Sequence, residues 1–193
     1  MRPLIFLLPL LSLVSACDRQ SEAPSQDKAA ENSAQAIATP APPAPTGAGL
    51  INDFKGTLAP ETPFEGPDGR PVKLAEFAGR PVLVNLWATW CASCVVEMPT
   101  LDALAAARGD TLRVVAISMD IEGRRAVDPF LAKAGLKNLP PYLDKKNDLM
   151  LALKADTLPV TILYDSQGRE VWRMIGEMDW NSEKAAALID QAS

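Results

Sequence analysis

Cys91 and Cys94 are the residues best suited by type and spacing to do chemistry. They are two of the three cysteines in a chain of 193 residues. A pair in the segment Cys91-Ala92-Ser93-Cys94 can cycle between dithiol and disulfide, one thiolate attacking a foreign disulfide and the other resolving the mixed disulfide. The chain contains no histidine, which excludes Ser-His-Asp and Cys-His hydrolases and zinc sites with His ligands. Thiol–disulfide exchange is therefore the chemistry this pair predicts.

The local sequence predicts how the pair is positioned. Pro81–Trp87 is a continuous apolar run, typical of a strand buried on both faces. A helix is predicted from Cys91 to about Ala107, so its first free N–H groups and positive dipole end face the Cys91 sulfur and favour its thiolate. We therefore expect Cys91 to be the attacking thiol. Cys94, one helical turn further, is expected to resolve the mixed disulfide.

The rest of the folded region predicts a mixed α/β domain. The element order after an N-terminal hairpin is β-α-β-α-(β-α)-β-β-α, which implies a mixed sheet with helices on both faces. The predicted hairpin covers Pro63–Leu74 around Gly66-Pro67-Asp68-Gly69; the further strands are Leu112–Ser118, Pro141–Leu143, Val160–Tyr164 and Val171–Ile175; the further helices are Arg124–Ala134, Asn147–Lys154 and Asn181–Ala192.

The first 49 residues are predicted to contain an export signal and a tether. Residues 1–16 resemble a secretory signal peptide, with Arg2 before a short apolar run. Val14-Ser15-Ala16-Cys17 resembles the bacterial lipobox, which implies acylation of Cys17; ordinary cleavage after Ala16 is the competing interpretation. Residues 17–49 are rich in Ala, Pro, Ser and Gln, a composition that predicts a disordered tether. The folded domain is predicted to span residues 50–193.

The segment Val82-Leu83-Val84-Asn85-Leu86-Trp87-Ala88-Thr89-Trp90-Cys91-Ala92-Ser93-Cys94 resembles the active-site strand, turn and helix of thioredoxins. The continuation Val95-Val96-Glu97-Met98-Pro99 narrows the resemblance to the membrane-tethered TlpA and ResA type. The resemblance covers about Phe64 to Ile189 and implies a thioredoxin-like fold. It also implies a cis peptide at Leu158-Pro159, beside the cysteines, with the Leu158 backbone available for pairing with a substrate polypeptide.

The resemblance also assigns supporting residues. Glu97 is by default a solvated helix residue, but the matching Glu of ResA-like proteins is a partly buried carboxylate that tunes the cysteines and transfers protons. Asn85 stands where thioredoxins carry a buried Asp, so proton handling is expected to shift to Glu97. Trp90 is expected at the surface beside Cys91, shielding the thiol and contacting partners, whereas Trp87 is expected in the core.

These observations predict a thiol–disulfide oxidoreductase that needs no cofactor beyond its Cys91–Cys94 disulfide and no metal. A zinc half-site lacks a second ligand pair, and a peroxidase site lacks the Pro and Thr that peroxiredoxins place before the reactive Cys. By resemblance, the enzyme reduces protein disulfides during cytochrome c or copper-site maturation, with electrons from a DsbD-like or CcdA-like membrane protein. A disulfide-forming oxidase or isomerase is one alternative, and a Cu(I)-binding chaperone is another.

Location and assembly follow from the same features. Asp18, directly after the lipobox-like Cys17, resembles the enterobacterial signal for retention in the inner membrane. This resemblance implies a lipid-anchored domain on the periplasmic side of the inner (cytoplasmic) membrane. The net charge of −5 and the lack of a long basic run exclude nucleic acid as an expected partner. We expect a monomer.

Overall fold

The computed structural model describes residues 49–192. The predicted signal peptide, the predicted lipidation site Cys17 and almost all of the predicted tether lie outside the described residues. The predicted boundary between tether and domain falls inside the first strand, because Gly49 is already part of β1. Among the residues that the structure describes, no helix is long and apolar enough to cross a bilayer.

The described chain contains eight strands and four helices. The strands are β1 (Gly49–Ile51), β2 (Phe64–Glu65), β3 (Pro71–Val72), β4 (Val82–Trp87), β5 (Arg113–Ser118), β6 (Tyr142–Leu143), β7 (Val160–Tyr164) and β8 (Glu170–Ile175). The helices are α1 (Ala92–Arg108), α2 (Arg124–Ala134), α3 (Asp148–Ala152) and α4 (Glu183–Ile189), with short 3₁₀ turns at Leu74–Phe77 and Asp190–Ala192.

All eight strands form one mixed sheet in the order β1-β8-β7-β4-β5-β6-β2-β3. Strands β4, β5 and β6 are parallel, and the remaining pairs are antiparallel. This is the predicted thioredoxin-like arrangement, a mixed central sheet with a hairpin at one end and the β6–α3 insertion. The hairpin β2–β3 is more than a local turn, because Glu65 pairs with Leu143 and extends the sheet.

The core lies around β4, whose six residues are all buried. Trp87 closes this strand and packs against Phe130 of α2, with ring centroids 5.1 Å apart. Its predicted place in the core is confirmed. Burial on both faces explains why a continuous apolar run, rather than an alternating one, forms this strand. The strand therefore delivers the loop at residues 88–91 to a fixed point at the end of the sheet.

One strand was not predicted, and several predicted elements have bounds that differ by one to three residues. Strand β1 was not predicted, and it pairs with β8 through Gly49↔Ile175 and Ile51↔Arg173. The last helix begins at Glu183 rather than at residue 181, because Ser182 is its N-cap and accepts a hydrogen bond from Ala185 N at 3.2 Å.

Candidate active site

Cys91 and Cys94 form a disulfide at the N-terminus of α1. Cys91 is the N-cap residue, and its sulfur accepts a hydrogen bond from the Cys94 backbone N–H at 3.3 Å. The hydroxyl of Ser93 lies 3.6 Å from the same sulfur. These contacts, and the free N–H groups of the first helical turn, favour negative charge on Cys91 when the disulfide is reduced.

The two sulfurs differ in access. Cys91 is 8% exposed and Cys94 is fully buried. Cys91 opens into a cavity of about 660 Å³, whose lining is mainly apolar. The apolar lining residues are Trp90, Met119, Ile121, Met150 and Leu158. Trp90 and Ile121 are among the most exposed large apolar side chains of the described region, and Trp90 is 70% exposed. An incoming group can therefore reach Cys91 across an apolar surface.

The Leu158–Pro159 peptide bond is cis. Leu158 lines the cavity beside Cys91, and Pro159 is the next residue along the chain. The cis bond implied by the family resemblance is thus confirmed. On the other side of this dipeptide lies a second cavity of about 530 Å³, lined by Gly49, Ser93, Met174 and Met178 among others. Gly49 lies here because β1 is antiparallel to β8 and pairs its first residue with Ile175. The described chain therefore begins at the end of the sheet that carries the cysteines.

Glu97 is buried one turn beyond Cys94 on α1, with 2% of its surface exposed. Its Oε1 accepts a hydrogen bond from Asn85 Nδ2 at 2.7 Å, and the same amide donates to Thr161 Oγ1 at 2.9 Å. Asn85 is fully buried on β4. From the resemblance, Glu97 was predicted to be partly buried. In the structure its side chain is almost completely buried, against strands of the sheet.

The other carboxylate oxygen of Glu97 faces the segment after β8. Oε2 accepts hydrogen bonds from Met178 N and from Trp180 Nε1, both at 3.1 Å. Burial raises the pKa of Glu97 to about 7, although the three hydrogen bonds act in the opposite direction. A carboxyl group with such a pKa can both accept and release a proton near neutral pH.

The Redoxin family model matches residues 54–189, which is most of the described domain. The chain belongs to the Redoxin family. ResA, a thiol-disulfide oxidoreductase of Bacillus subtilis, is 29% identical over 132 residues, covering 68% of this chain and 73% of ResA. ResA of Bacillus thuringiensis is 31% identical over 123 residues, with 63% and 70% covered.

Solved structures agree with this assignment. A structure described as a putative thiol:disulfide interchange protein DsbE from Chlorobium tepidum is 25% identical, with a TM-score of 0.64 over 72% of this chain and 96% of that one. StoA from Bacillus subtilis, at 21% identity and a TM-score of 0.56, shares the fold. This member of the Redoxin family is a thiol-disulfide oxidoreductase of the ResA type.

The Redoxin-family fold gathers the predicted site residues in two layers. Cys91, Trp90 and Leu158 line the first cavity, and Pro159 lines the second together with Leu158. Asn85 and Glu97 are hydrogen-bonded to each other in the interior. Between residues 49 and 192, no cluster of three or more His, Cys, Asp or Glu side chains could hold a metal ion.

Asp120 is a site residue that the sequence analysis missed. It is buried after β5, and its carboxylate accepts hydrogen bonds from Thr89 N at 2.9 Å, Thr89 Oγ1 at 2.6 Å and Ser118 Oγ at 2.7 Å. Thr89 precedes Trp90 in the active-site loop. Asp120 thus ties this loop to the segment that supplies Met119 and Ile121, on the same cavity. An Asp two residues after the end of a buried strand was the available signal.

Proposed function

We propose that this enzyme is a dithiol reductase of protein disulfides that works outside the cytoplasm. One observation carries the proposal: Cys91 caps α1 and opens into an apolar cavity, while Cys94 is sealed beneath it, one turn before a buried carboxylate. Such an arrangement separates the two roles that a reductase needs. One thiolate meets the substrate, and a protected thiol completes the reaction.

The first step joins enzyme and substrate. The Cys91 thiolate attacks one sulfur of the substrate disulfide, forming a mixed disulfide and breaking the substrate S–S bond. The departing substrate thiolate takes a proton from solvent. The hydrogen bond from Cys94 N to the Cys91 sulfur, together with the helix N-terminus, stabilises the attacking thiolate.

The second step releases the product. Glu97, as a carboxylate, takes the proton of the Cys94 thiol, and the Cys94 thiolate attacks Cys91 Sγ. The mixed disulfide breaks, and the second substrate sulfur leaves as a thiolate that takes up a proton. Two electrons have then passed from the enzyme dithiol to the substrate, and the enzyme retains the Cys91–Cys94 disulfide. A carboxyl group that titrates near neutral pH suits this proton transfer.

Trp90, Leu158 and Pro159 are proposed to receive the polypeptide around the substrate disulfide. The exposed indole of Trp90 and the apolar lining of the first cavity favour apolar residues next to the substrate cysteine. Leu158 offers its backbone between the two cavities for pairing with an extended chain. By resemblance to ResA-like and TlpA-like proteins, the substrates are apocytochrome c or a copper-site protein.

The proposed location is the periplasmic face of the inner membrane, where a DsbD-like or CcdA-like protein would renew the electrons. It rests on the lipobox-like segment that ends at Cys17. Detergent phase partitioning of the full chain expressed in a bacterial host tests it: the protein should enter the detergent phase, and a Cys17→Ser variant should not. Recovery of both proteins in the aqueous phase would remove the anchor from the proposal. Size-exclusion chromatography of the full chain tests the predicted monomer.

The reduction potential of the Cys91–Cys94 couple tests the direction of electron flow. Equilibration with dithiothreitol or glutathione buffers should give a value near or below about −250 mV, as a reductase requires. A value near about −120 mV would make the protein a disulfide-forming oxidant. That outcome would reverse the direction and leave the site unchanged.

Cu(I) binding is the second candidate function, and the position of Met119 favours it. This thioether lines the same cavity as Cys91, and thiolates with a thioether suit Cu(I). Titration of the reduced protein with Cu(I), in competition with a chelator of known affinity, should show tight binding that weakens in Met119→Leu. The absence of tight, stoichiometric binding would end this candidacy.

A further inference from the structure

Glu97 accepts hydrogen bonds on two sides, from Asn85 and from the segment after β8. The segment Gly176–Trp180 follows β8 and contacts the active site at several points. Gly176 N donates to Pro159 O at 3.0 Å, and Met178 N and Trp180 Nε1 donate to Glu97 Oε2 at 3.1 Å. The segment therefore connects the cis-proline loop with the buried carboxylate.

Trp180 is itself fixed to the same turn of α1 as Glu97. Its backbone N–H donates to Thr100 Oγ1 at 3.1 Å, and this hydroxyl donates to Glu97 O at 2.9 Å. The indole ring is buried. The backbone N–H and the indole N–H of Trp180 therefore both bind the same turn of α1, and the indole N–H is directed at Glu97 Oε2.

We propose that Trp180 is a positioning residue for Glu97, whose indole N–H fixes Oε2 and favours the ionised carboxylate that accepts the Cys94 proton. This inference rests on the proposed function of Glu97. It assigns a further residue to the reaction, one that touches neither the sulfurs nor the substrate.

The type of each contact supports an effect on ionisation rather than on packing alone. All three groups bound to Glu97 (Asn85 Nδ2, Met178 N and Trp180 Nε1) are N–H donors. An ionised carboxylate accepts from all of them, whereas a neutral acid carries a proton of its own and is a weaker acceptor. Removing one donor therefore destabilises the ionised form more than the neutral form.

The charged surroundings of Glu97 are few. Glu177 of the same segment is the charged neighbour that acts on it, and its negative charge raises the pKa of Glu97. Asn85 of β4 and Thr161 of β7 are neutral, and Cys94 on α1 is the titratable group nearest in sequence. In the oxidised protein Cys94 is in a disulfide and does not titrate. In the oxidised protein, the titration of Glu97 is therefore not coupled to a titration of Cys94.

The experiment is a titration of Glu97 in the oxidised full chain by carbon-13 NMR of labelled Glu carboxyl groups. The Glu97 signal is identified by its absence in Glu97→Gln. In Trp180→Phe, which keeps an aromatic ring but loses the N–H, the titration midpoint should move to higher pH. We expect about a tenfold weaker acid, because a hydrogen bond to a charged group has about this effect.

Trp172→Phe is the matched control. Trp172 is also buried, and its indole also makes one buried hydrogen bond, to Leu188 O at 2.9 Å, away from Glu97. Trp172→Phe should lower the stability of the protein. The ionisation constant of Glu97 in this variant should stay within twofold of the wild-type value. An unchanged midpoint in Trp180→Phe, or an equal change in both variants, would overturn the proposal.

Two further measurements keep the test decisive. If Trp180→Phe does not fold, Thr100→Val removes the acceptor of Trp180 N and should move the midpoint in the same direction; no movement overturns the proposal. In reduced protein, Trp180→Phe should slow resolution of the mixed disulfide at pH 7 about fivefold, with recovery near pH 9. If resolution is unaffected in Glu97→Gln, the proton-transfer role fails, while the titration still tests Trp180.

Discussion

The side-chain amide of Asn85 donates to Glu97 Oε1 at 2.7 Å, while its own oxygen, Oδ1, accepts no hydrogen bond from any described residue. The amide is therefore the one partner of Glu97 that can serve both protonation states. Its nitrogen donates to the carboxylate, and after a half-turn of the amide its oxygen can accept from the neutral acid. An ionised Asp at this position offers no such donor.

We predict that Asn85→Asp disables proton transfer at neutral pH. Two buried carboxyl groups within hydrogen-bond distance cannot both ionise, so the pair retains one proton well above pH 7. Resolution of a mixed disulfide at pH 7 should fall at least about tenfold. A pH–rate profile checks this, with Thr161→Val as a control that removes the other partner of Asn85 without adding charge. A wild-type profile in Asn85→Asp would contradict it.

Glu97 should make the stability of the oxidised protein depend on pH. Its folded pKa of about 7 lies above its ordinary value of 4.5, so the folded state binds the proton more tightly than the unfolded state. The stabilisation is complete below about pH 4.5 and is lost as the pH rises through 7, in total about 3 kcal/mol. Urea unfolding of the wild type and Glu97→Gln between pH 4 and 8 measures this as a difference.

The comparison with Glu97→Gln removes other titrating groups. Burial also raises the pKa of Asp144, but this group is present in both proteins and its effect cancels. A free-energy difference between the two proteins that stays constant from pH 4 to 8 would refute the elevated pKa.

Cys94→Ser should stop the reaction after its first step. Cys91 remains accessible and can attack a substrate disulfide, but no second thiol can attack the mixed disulfide. Incubation with a disulfide-containing protein should give a covalent adduct that dithiothreitol releases, visible by non-reducing electrophoresis. Cys91→Ser is the control and should give no adduct, because Cys94 is fully buried. Equal adduct formation by both variants would reverse the assigned roles.

Asp120→Ala should loosen the active-site loop as well as destabilise the fold. It leaves the N–H and hydroxyl of Thr89 and the hydroxyl of Ser118 without their acceptor, at a cost of roughly 2–4 kcal/mol. We also expect the alkylation rate of reduced Cys91 to change, because the loop carries Trp90 and leads into the N-cap of α1. Thermal unfolding and iodoacetamide kinetics measure the two effects.

Asp102→Ala provides the matched control for Asp120. Asp102 lies on α1 about two turns beyond Cys94. It also accepts three hydrogen bonds, from Lys137 N, Asn138 N and Asn138 Nδ2 of the loop after α2. This variant should lose stability with an unchanged Cys91 alkylation rate. If both variants alter the rate equally, Asp120 has no special connection to the site.

The fold was predictable where local sequence determines structure. The six residues of β4 are buried on both faces, so their apolar run was sufficient. The hairpin formed around Gly66-Pro67-Asp68-Gly69, as its turn residues indicate. Strand β1 was missed because three residues show no periodicity, and its partner, Ile175, lies far along the chain.

The candidate site likewise has one part that local sequence predicts and another that depends on contacts between distant residues. The spacing of Cys91 and Cys94 and the helical position of Glu97 are local features, and the sequence showed them. The burial of Glu97 depends on Trp180, which is 83 positions away, and the loop anchor depends on Asp120, which is 31 positions from Thr89. Contacts of this kind arise from tertiary packing, which residue spacing does not reveal.

The position of Gly49, beside the Leu158–Pro159 loop, has a consequence for encounter rates. A chain from Cys17 to Gly49 spans at most about 110 Å when fully extended. If Cys17 is acylated, as proposed, the anchored segment joins the described domain at Gly49, at the end of the sheet that carries the cysteines. Under the proposal of a membrane-bound electron donor, enzyme and donor would be confined to one surface, and each transfer of electrons would still need a two-body encounter. Attachment of this kind would make the rate of re-reduction depend on the number of copies per membrane area rather than on the volume of the surrounding compartment.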